Sequence, residues 1–519
     1  MQIFADHPLA WALFTGYLLL TSWLAYLGHK KTEDLSSFAL GKGDMHPVIM
    51  GITLATAIAS VATFVVNPGF VYVHGLSALL HLGVAAALGM FSALFIISFG
   101  FQRIGKSSHA LTLPQWIGDR YDSRGMTIFF AGLNFMALTF VVLIVGALSL
   151  VMQETLGLSA TASSILIIGF VFSYIFIGGT YAHAYTNTLQ GIIMTVIAAI
   201  IVASGFPLLG EGIGGITDQL ASVDPALLGQ FNPAGALFGG FFSVYVAGFI
   251  IGFALVCQPH VIIKALYVED REALWKGLGV YLIVSVVFLG ILLVGLYAHL
   301  VGVGPPDEVA QDAVLILYVI DTFGPVMVAI ISVALLAAGM STLDGILIAL
   351  SSIAANDFFL NLTRDNILRE KSDEERHRIA HRVGQLILIA MGVVTFIITA
   401  LAPPDVLAIF GQIGVYGIVA TSCVPILFGI LFPGIDRRAV FAAAICGLVV
   451  YLSLFFLGGW AADNAVALNE MLPALGPLGI LVDDEMTLLG FVNPAVPAAY
   501  AIIVSVLIAL PSAVLSRLR

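Results

Sequence analysis

Long apolar runs dominate the chain and alternate with short polar connections. Thirteen runs have the length of a membrane-spanning helix, which needs about 20 apolar residues. They lack the strict apolar and polar alternation of membrane strands, so helices are predicted. We therefore expect an all-α polytopic membrane protein with about 13 transmembrane helices. The predicted spans are 8–28, 47–75, 77–102, 126–155, 160–180, 187–207, 237–263, 274–302, 322–355, 382–402, 405–432, 438–460 and 493–515.

The composition agrees with this class, because 60% of the residues are hydrophobic and only 10% are charged. Cys257, Cys423 and Cys446 lie in apolar runs without a CxxC pattern, which predicts neither a disulfide nor a metal centre. The sequence shows no nucleophile with an adjacent base and no basic patch for a nucleic acid. We expect a protein that is not an enzyme and that meets the lipid bilayer.

The basic residues predict the orientation. All 20 Lys and Arg residues fall in alternate connections, and such connections face the cytoplasm by the positive-inside rule. The connections near 207–236, 303–320 and 461–492 carry only acidic residues and are predicted outside. Lys264 is assigned to a cytoplasmic connection, so no basic residue is expected inside a span. The N-terminus is predicted outside and the C-terminus in the cytoplasm, in a multi-pass protein of the cell membrane.

The ninth span contains the polar run 337–345, in which Asp344 lies far from either predicted membrane surface. A carboxylate at that depth costs about 2.5–3.5 kcal/mol, so it needs a cation, a proton or a polar neighbour. The hydroxyls of Ser341 and Thr342 and the carbonyl of Ala338 suit a small hard cation. Hydroxyls that bond back to the preceding helical turn would explain the Ser and Thr but leave the acid unexplained.

The second and seventh spans are interrupted. The second contains Asn67-Pro68-Gly69, and the seventh ends at Gln258-Pro259-His260. They begin two successive groups of five spans, and an odd number of spans gives the groups opposite orientations. Broken first helices in an inverted repeat indicate a binding site at the membrane midplane, although Gly and Pro are also common in membrane helices. The predicted parts are an N-terminal extra helix and loop (1–46), a first five-helix repeat (47–208), a second repeat with an external loop (209–432) and two C-terminal helices (433–519).

Several motifs make the chain resemble the sodium/solute symporter family over nearly its whole length. They are Leu113-Pro114 with Arg120-Tyr121, Gly178-Gly179, Thr186-Asn187-Thr188-Leu189-Gln190, Gln258-Pro259-His260, and Ala338 followed by Ser341-Thr342. The resemblance implies two inverted five-helix repeats. It also implies a symporter that imports a small organic solute with Na⁺ by alternating access. Na⁺ would be the coupling ion, and no other cofactor is expected.

The resemblance also implies ion sites. A sodium ion would bind to backbone carbonyls near Thr56 and Ala59, to the Ala338 carbonyl and to the hydroxyls of Ser341 and Thr342. Many family members carry Asp where this chain has Asn187, and Asp344 and Gly345 occupy the positions of that residue's partners. We hypothesise that Asn187, Asp344 and Gly345 hold a second cation or a proton. A hydrogen bond that only packs the helices is the alternative.

The solute is expected between the second, third, seventh and eleventh spans. The predicted solute residues are Ser60, Thr63, Tyr72, His81, Tyr245, Leu255, Gln412 and Tyr416. Ile251 and Leu255 resemble the positions of a proline-carrier site but are aliphatic, which argues against proline. A small monocarboxylate is favoured. A solute sensor with the same fold and a proton-coupled transporter remain alternatives, and a monomer or loose homo-oligomer is expected.

Overall fold

The structure is a computed structural model that describes residues 7–30, 35–40, 43–232, 237–304, 308–363, 366–401, 407–463 and 493–518. Within these ranges the chain is helical and contains no strand. Most of the predicted external connection 461–492 lies outside the described residues, as do Lys31, Lys42, Arg364 and Arg519, four of the basic residues used for the orientation.

The predicted spans are found in order along the described chain. Ten helices are long and apolar enough to cross a membrane, and two bent pairs raise the number to 12. A shorter apolar helix, Ala160–Phe176, corresponds to the predicted fifth span. Spans 1 to 13 are Pro8–His29, Pro47–Ile58 with Ala62–His74, Leu76–Ser108, Arg124–Leu156, Ala160–Phe176, Gly179–Leu208, Phe242–Leu255 with Pro259–Leu266, Arg271–Val301, Pro325–Thr363, Asp373–Ala400, Ile409–Leu431, Arg437–Trp460 and Ala495–Leu518. Shorter helices between them include Leu35–Leu40, Leu113–Tyr121, Gly212–Val223, Pro225–Leu228, Glu308–Ala313 and Val314–Thr322.

Span 2 is bent by 52° between its two halves. The first half ends at Ile58, and Ala59 has non-helical backbone angles (φ −80°, ψ 73°). In a regular helix the Ser60 N–H would bond to the Thr56 carbonyl, but here it bonds to the Ile58 carbonyl at 3.0 Å. A π-helical turn, Ala62–Val66, then leads into the second half. The break therefore releases the Thr56 carbonyl from the helical hydrogen-bond ladder.

Span 7 is bent by 59° at the matching position of the second group of five helices. Its first half ends at Leu255, and Gln258 is extended (ψ 138°), as expected for a residue before proline. Pro259 begins the second half, where its missing N–H removes no helical bond. Both breaks thus occur in the first helices of the two groups, as predicted. In span 2, however, Asn67-Pro68-Gly69 begins a helical stretch, and the break lies at Ala59.

The second half of span 7 corrects one expectation. Pro259–Leu266 continues through the protein interior, and the Lys264 side chain is only 1% exposed. Lys264 therefore lies inside a span, and the prediction that no basic residue does so is wrong. The predicted span stopped at residue 263, whereas the second half of span 7 extends to Leu266.

The motif Leu113-Pro114 with Arg120-Tyr121 forms a short helix before span 4, and this helix is hydrogen-bonded to the end of span 11. Thr112 caps the helix Leu113–Tyr121 by accepting from the Gln115 N–H. At the other end, Arg120 donates to three carbonyls around the end of span 11, those of Gly429, Phe432 and Pro433, at 2.6–3.1 Å. Pro433 has no N–H to donate to the Gly429 carbonyl, and a guanidinium with several N–H donors binds all three carbonyls together.

Span 9 lies at the centre of the bundle. Every side chain from 334 to 348 is buried, including Asp344. The span packs against spans 1 and 4 and against the pair of spans 5 and 6, which follow each other across a kink at Gly179. A polar run in this helix therefore faces other helices rather than lipid.

Candidate functional site

The break in span 2 meets the hydroxyl pair of span 9. Ser341 Oγ lies 3.4 Å and Thr342 Oγ1 lies 3.2 Å from the Thr56 carbonyl oxygen that the break released. Ser341 Oγ also donates to the Ala338 carbonyl at 2.7 Å. The structure thus brings together four of the five predicted sodium-site residues. The fifth, Ala59, lies at the break itself.

These oxygens fit a small monovalent cation. Two carbonyls and two hydroxyls converge in a fully buried setting, and oxygen donors are the ligands that hard cations prefer. Their set carries no formal charge, which suits Na⁺ better than a divalent ion. Among the described residues, no group of three or more His, Cys, Asp or Glu side chains could hold a metal ion.

The predicted second site is organised by a histidine. The Tyr174 hydroxyl donates to Asp344 Oδ1, while Asp344 Oδ2 lies 3.4 Å from Thr186 Oγ1 and 3.9 Å from His183 Nδ1. Asn187 Nδ2 lies 3.2 Å from His183 Nε2. Asn187 and Asp344 therefore meet through the His183 ring, rather than through the direct hydrogen bond considered from sequence.

Gly345 and Lys264 complete this cluster. A Cβ added at Gly345 would lie 3.4 Å from His183 Cε1, so the glycine packs against the imidazole ring. Lys264 Nζ lies 2.9 Å from His183 Nε2. Sequence reasoning missed Tyr174, His183 and Lys264. The motif Gln258-Pro259-His260 was the available signal for Lys264, because it marks a break from which the chain can turn inward.

A cavity of about 160 Å³ lies beside the broken part of span 2. Residues 57–60 form one wall, so the solute cavity and the ion site share the same interrupted helix. Five predicted solute residues line it: Ser60, Thr63, Leu255, Gln412 and Tyr416. The polar lining residues that the sequence reasoning missed are Asn67, Gln258, Tyr281 and Ser285. The described lining residues include no Asp, Glu, Lys or Arg.

Three predicted solute residues lie away from this cavity. Tyr72 stacks on His299 with ring centroids 4.0 Å apart, and Tyr245 donates to Gln230 Oε1 at 3.2 Å. His81 Nδ1 lies 2.7 Å from the Ser243 carbonyl oxygen. His81 and Tyr245 belong to π-helical segments, whose wider turns rotate side chains away from α-helical spacing. The structure therefore corrects the predicted lining at these three positions.

Comparisons with known proteins agree with this geometry. The model of the Sodium:solute symporter family matches residues 38–447. A sodium/pantothenate symporter of Haemophilus influenzae is 26% identical over 467 residues, which are 89% of this chain and 92% of that protein. A Staphylococcus aureus sodium/proline symporter is 25% identical and covers 88% of both chains.

One solved structure has the same fold. A Na⁺-coupled sialic acid symporter superposes with a TM-score of 0.72 at 16% sequence identity, covering 98% of both chains. At this identity the likeness concerns the fold alone. It confirms the predicted helical transporter fold with two inverted repeats.

Proposed function

Because the chain belongs to the sodium:solute symporter family, we propose that it imports a small organic solute together with Na⁺ by alternating access. The observation that carries this proposal is the contact of the Ser341 and Thr342 hydroxyls with the Thr56 carbonyl at the break of span 2. The family and these relatives are sodium-coupled transporters rather than enzymes, as expected from the sequence.

Coupling follows from the shared helix. A sodium ion bound between Thr56 and the hydroxyls of span 9 would fix the interrupted backbone of span 2, and residues 57–60 of that backbone form a wall of the cavity. An ion that orders this wall increases solute affinity, and the solute must increase ion affinity equally. One Na⁺ that moves down about 100 mV and a tenfold gradient supplies about 3.7 kcal/mol. That energy allows several-hundredfold accumulation of a neutral solute. A monocarboxylate anion that moves with one Na⁺ carries no net charge, so the tenfold Na⁺ gradient alone allows about tenfold accumulation.

The cavity supports a monocarboxylate as the solute. Its polar groups are amides and hydroxyls, provided by Asn67, Gln258, Gln412, Ser60 and Thr63, and the rest of the lining is mainly apolar. A carboxylate would be neutralised by the adjacent Na⁺, while amides and hydroxyls would bind polar groups further along the molecule. Two relatives are named for pantothenate, a monocarboxylate that carries an amide and hydroxyls.

Uptake into proteoliposomes tests this function. With an inward Na⁺ gradient and an inside-negative potential, we expect pantothenate or a related monocarboxylate to accumulate above its external concentration, and a sodium ionophore should release it. A sensor would bind the solute without accumulation. Equal accumulation with a proton gradient and no Na⁺ would contradict sodium coupling. Proline and a neutral sugar serve as comparison solutes.

Substitution of one cavity-lining amide, Gln412, tests whether the cavity binds the solute. We expect Gln412→Ala to raise the KM for the solute about 2- to 13-fold, because the loss of one hydrogen bond costs about 0.5–1.5 kcal/mol. The matched control is Gln153→Ala, since Gln153 is also partly buried but bonds to Ser149 on its own helix. Initial uptake rates at saturating Na⁺ give the KM. An equal KM for Gln412→Ala and the wild type would remove Gln412 from the solute site.

The orientation and assembly remain proposals. The protein is a multi-pass membrane protein of a symporter family, for which we propose the cell membrane, an external N-terminus and a cytoplasmic C-terminus. The distribution of the basic residues other than Lys264 supports this orientation. The predicted boundaries at 46, 208 and 432 and the monomer or loose homo-oligomer also stay predictions.

A further inference from the structure

A buried ammonium group lies next to the predicted second ion site. Lys264 is 1% exposed and belongs to the second half of span 7, beyond the break at Gln258-Pro259. A lysine at such a position costs several kcal/mol unless an anion or a dipole compensates its charge, and ionisable residues within spans commonly serve transport. The proposed sodium site does not use this residue.

The contacts of Lys264 define a chain of three side chains. An ammonium can only donate hydrogen bonds, so His183 Nε2, 2.9 Å from Nζ, must accept. An imidazole that accepts at Nε2 and is neutral carries its proton on Nδ1. That nitrogen lies 3.9 Å from Asp344 Oδ2, which is longer than a hydrogen bond, and it has no hydrogen-bond partner among the described residues. The imidazole therefore stands between one positive and one negative group.

Asp344 is the anion that matches this charge. Its side chain is fully buried and receives hydroxyl contacts from Tyr174 and Thr186. Hydrogen bonds of this kind favour the ionised carboxylate. An ionised Asp344 and a protonated Lys264 would balance each other's charge across the neutral ring within the described cluster.

The ammonium group of Lys264 lies at the predicted second cation site. Asn187 and Gly345, the other two predicted ligands of a second cation, both contact the ring of His183. We propose that Lys264 acts as a tethered cation in place of a second sodium ion, with Asp344 as its counter-ion. The transporter then couples one Na⁺, bound at Ser341 and Thr342, to each solute molecule. This inference rests on the proposed function.

The ratio of Na⁺ to solute in coupled flux tests the proposal. In proteoliposomes held at zero membrane potential, the Na⁺ gradient that just prevents net solute flux at a fixed solute gradient gives this ratio, whatever the charge of the solute. We expect about one for the wild type. In Lys264→Met the carboxylate of Asp344 loses its tethered partner, and we expect recruitment of a second Na⁺ and a ratio near two. A ratio of two in the wild type, or of one in Lys264→Met, would overturn the proposal.

Two further variants separate charge balance from packing. Lys264→Arg keeps the charge, so its ratio should remain near one. The neutral pair Lys264→Met/Asp344→Asn removes both charges and should fold and transport with a ratio near one, even if Lys264→Met alone does not fold. Failure of the neutral pair to fold or transport would show that Lys264 does more than balance Asp344, and would overturn the proposal.

The outcomes also distinguish a failure of the proposed sodium-coupled transport from a failure of the tethered cation alone. Wild-type uptake that does not respond to Na⁺ contradicts the proposed function itself. Sodium-driven uptake with a ratio of two leaves that function intact and contradicts only the tethered cation.

Discussion

Ser341→Ala/Thr342→Ala will lose sodium-driven uptake at ordinary sodium concentrations. The two hydroxyls are the only side-chain oxygens in the predicted sodium site, and both contact the Thr56 carbonyl at the break of span 2. Loss of even an outer-shell partner typically weakens metal binding 10- to 100-fold, so the removal of two direct ligands should weaken it by at least about 100-fold. Uptake rates measured across a series of Na⁺ concentrations give the sodium KM.

The matched control for this variant lies on the same helix. Ser332 is also buried, but its hydroxyl bonds to the Val328 carbonyl of its own helix at 2.7 Å. Ser332→Ala should therefore keep the wild-type sodium KM. Thr342→Ser, which retains the hydroxyl, should remain close to the wild type. An unchanged sodium KM in the double alanine variant would contradict the assigned ligands.

Gly252→Ala will destabilise the bundle although it adds a single methyl group. A Cβ at Gly252 would lie 2.0 Å from the Ala86 carbonyl oxygen, and one at Gly89 would lie 2.1 Å from the Phe249 carbonyl oxygen. Spans 3 and 7 thus meet backbone to backbone, which small residues allow. Overpacking costs about 1–3 kcal/mol, and a backbone obstacle gives way less easily than a side chain. We expect a decrease of about 3 kcal/mol in the free energy of unfolding.

Gly279→Ala is the control for this change. Gly279 lies in span 8, and an added Cβ there meets nothing within 4 Å. Both substitutions replace a helical glycine with alanine, so both gain about 1 kcal/mol of helix propensity. Thermal denaturation of the purified proteins should show a lower Tm for Gly252→Ala and an equal or higher Tm for Gly279→Ala. Equal Tm values for both variants would refute the close contact between spans 3 and 7.

The sequence predicted the features that depend on local pattern. Apolar length located the spans, and Gln258-Pro259-His260 marked the bend of span 7. Asn67-Pro68-Gly69 indicated that span 2 is interrupted, but the break lies eight residues earlier, at Ala59. The hydroxyl pair at Ser341 and Thr342 could be recognised because two adjacent polar residues and Asp344 stand out in an apolar helix. The resemblance then named the partner helix, and the structure brings Thr56 to that pair.

Features that depend on the direction of the chain after a break could not be predicted from the sequence. Lys264 counts as a surface residue by the positive-inside rule, and only the path of the second half of span 7 places it beside His183. The prediction of the residues that line the cavity was incomplete for a related reason. The π-helical segments Leu80–Ala85 and Phe242–Val246 change the directions in which the His81 and Tyr245 side chains point. The residue pattern of these segments does not predict the wider turns.

Equilibrium binding of radioactive sodium to the purified protein, without solute, tests the central claim most directly. The account predicts saturable binding to the wild type and to Ser332→Ala, and loss of that binding in Ser341→Ala/Thr342→Ala when its thermal denaturation still shows a folded protein. Wild-type binding that persists in the folded double variant would contradict a sodium site between the break of span 2 and the hydroxyls of span 9.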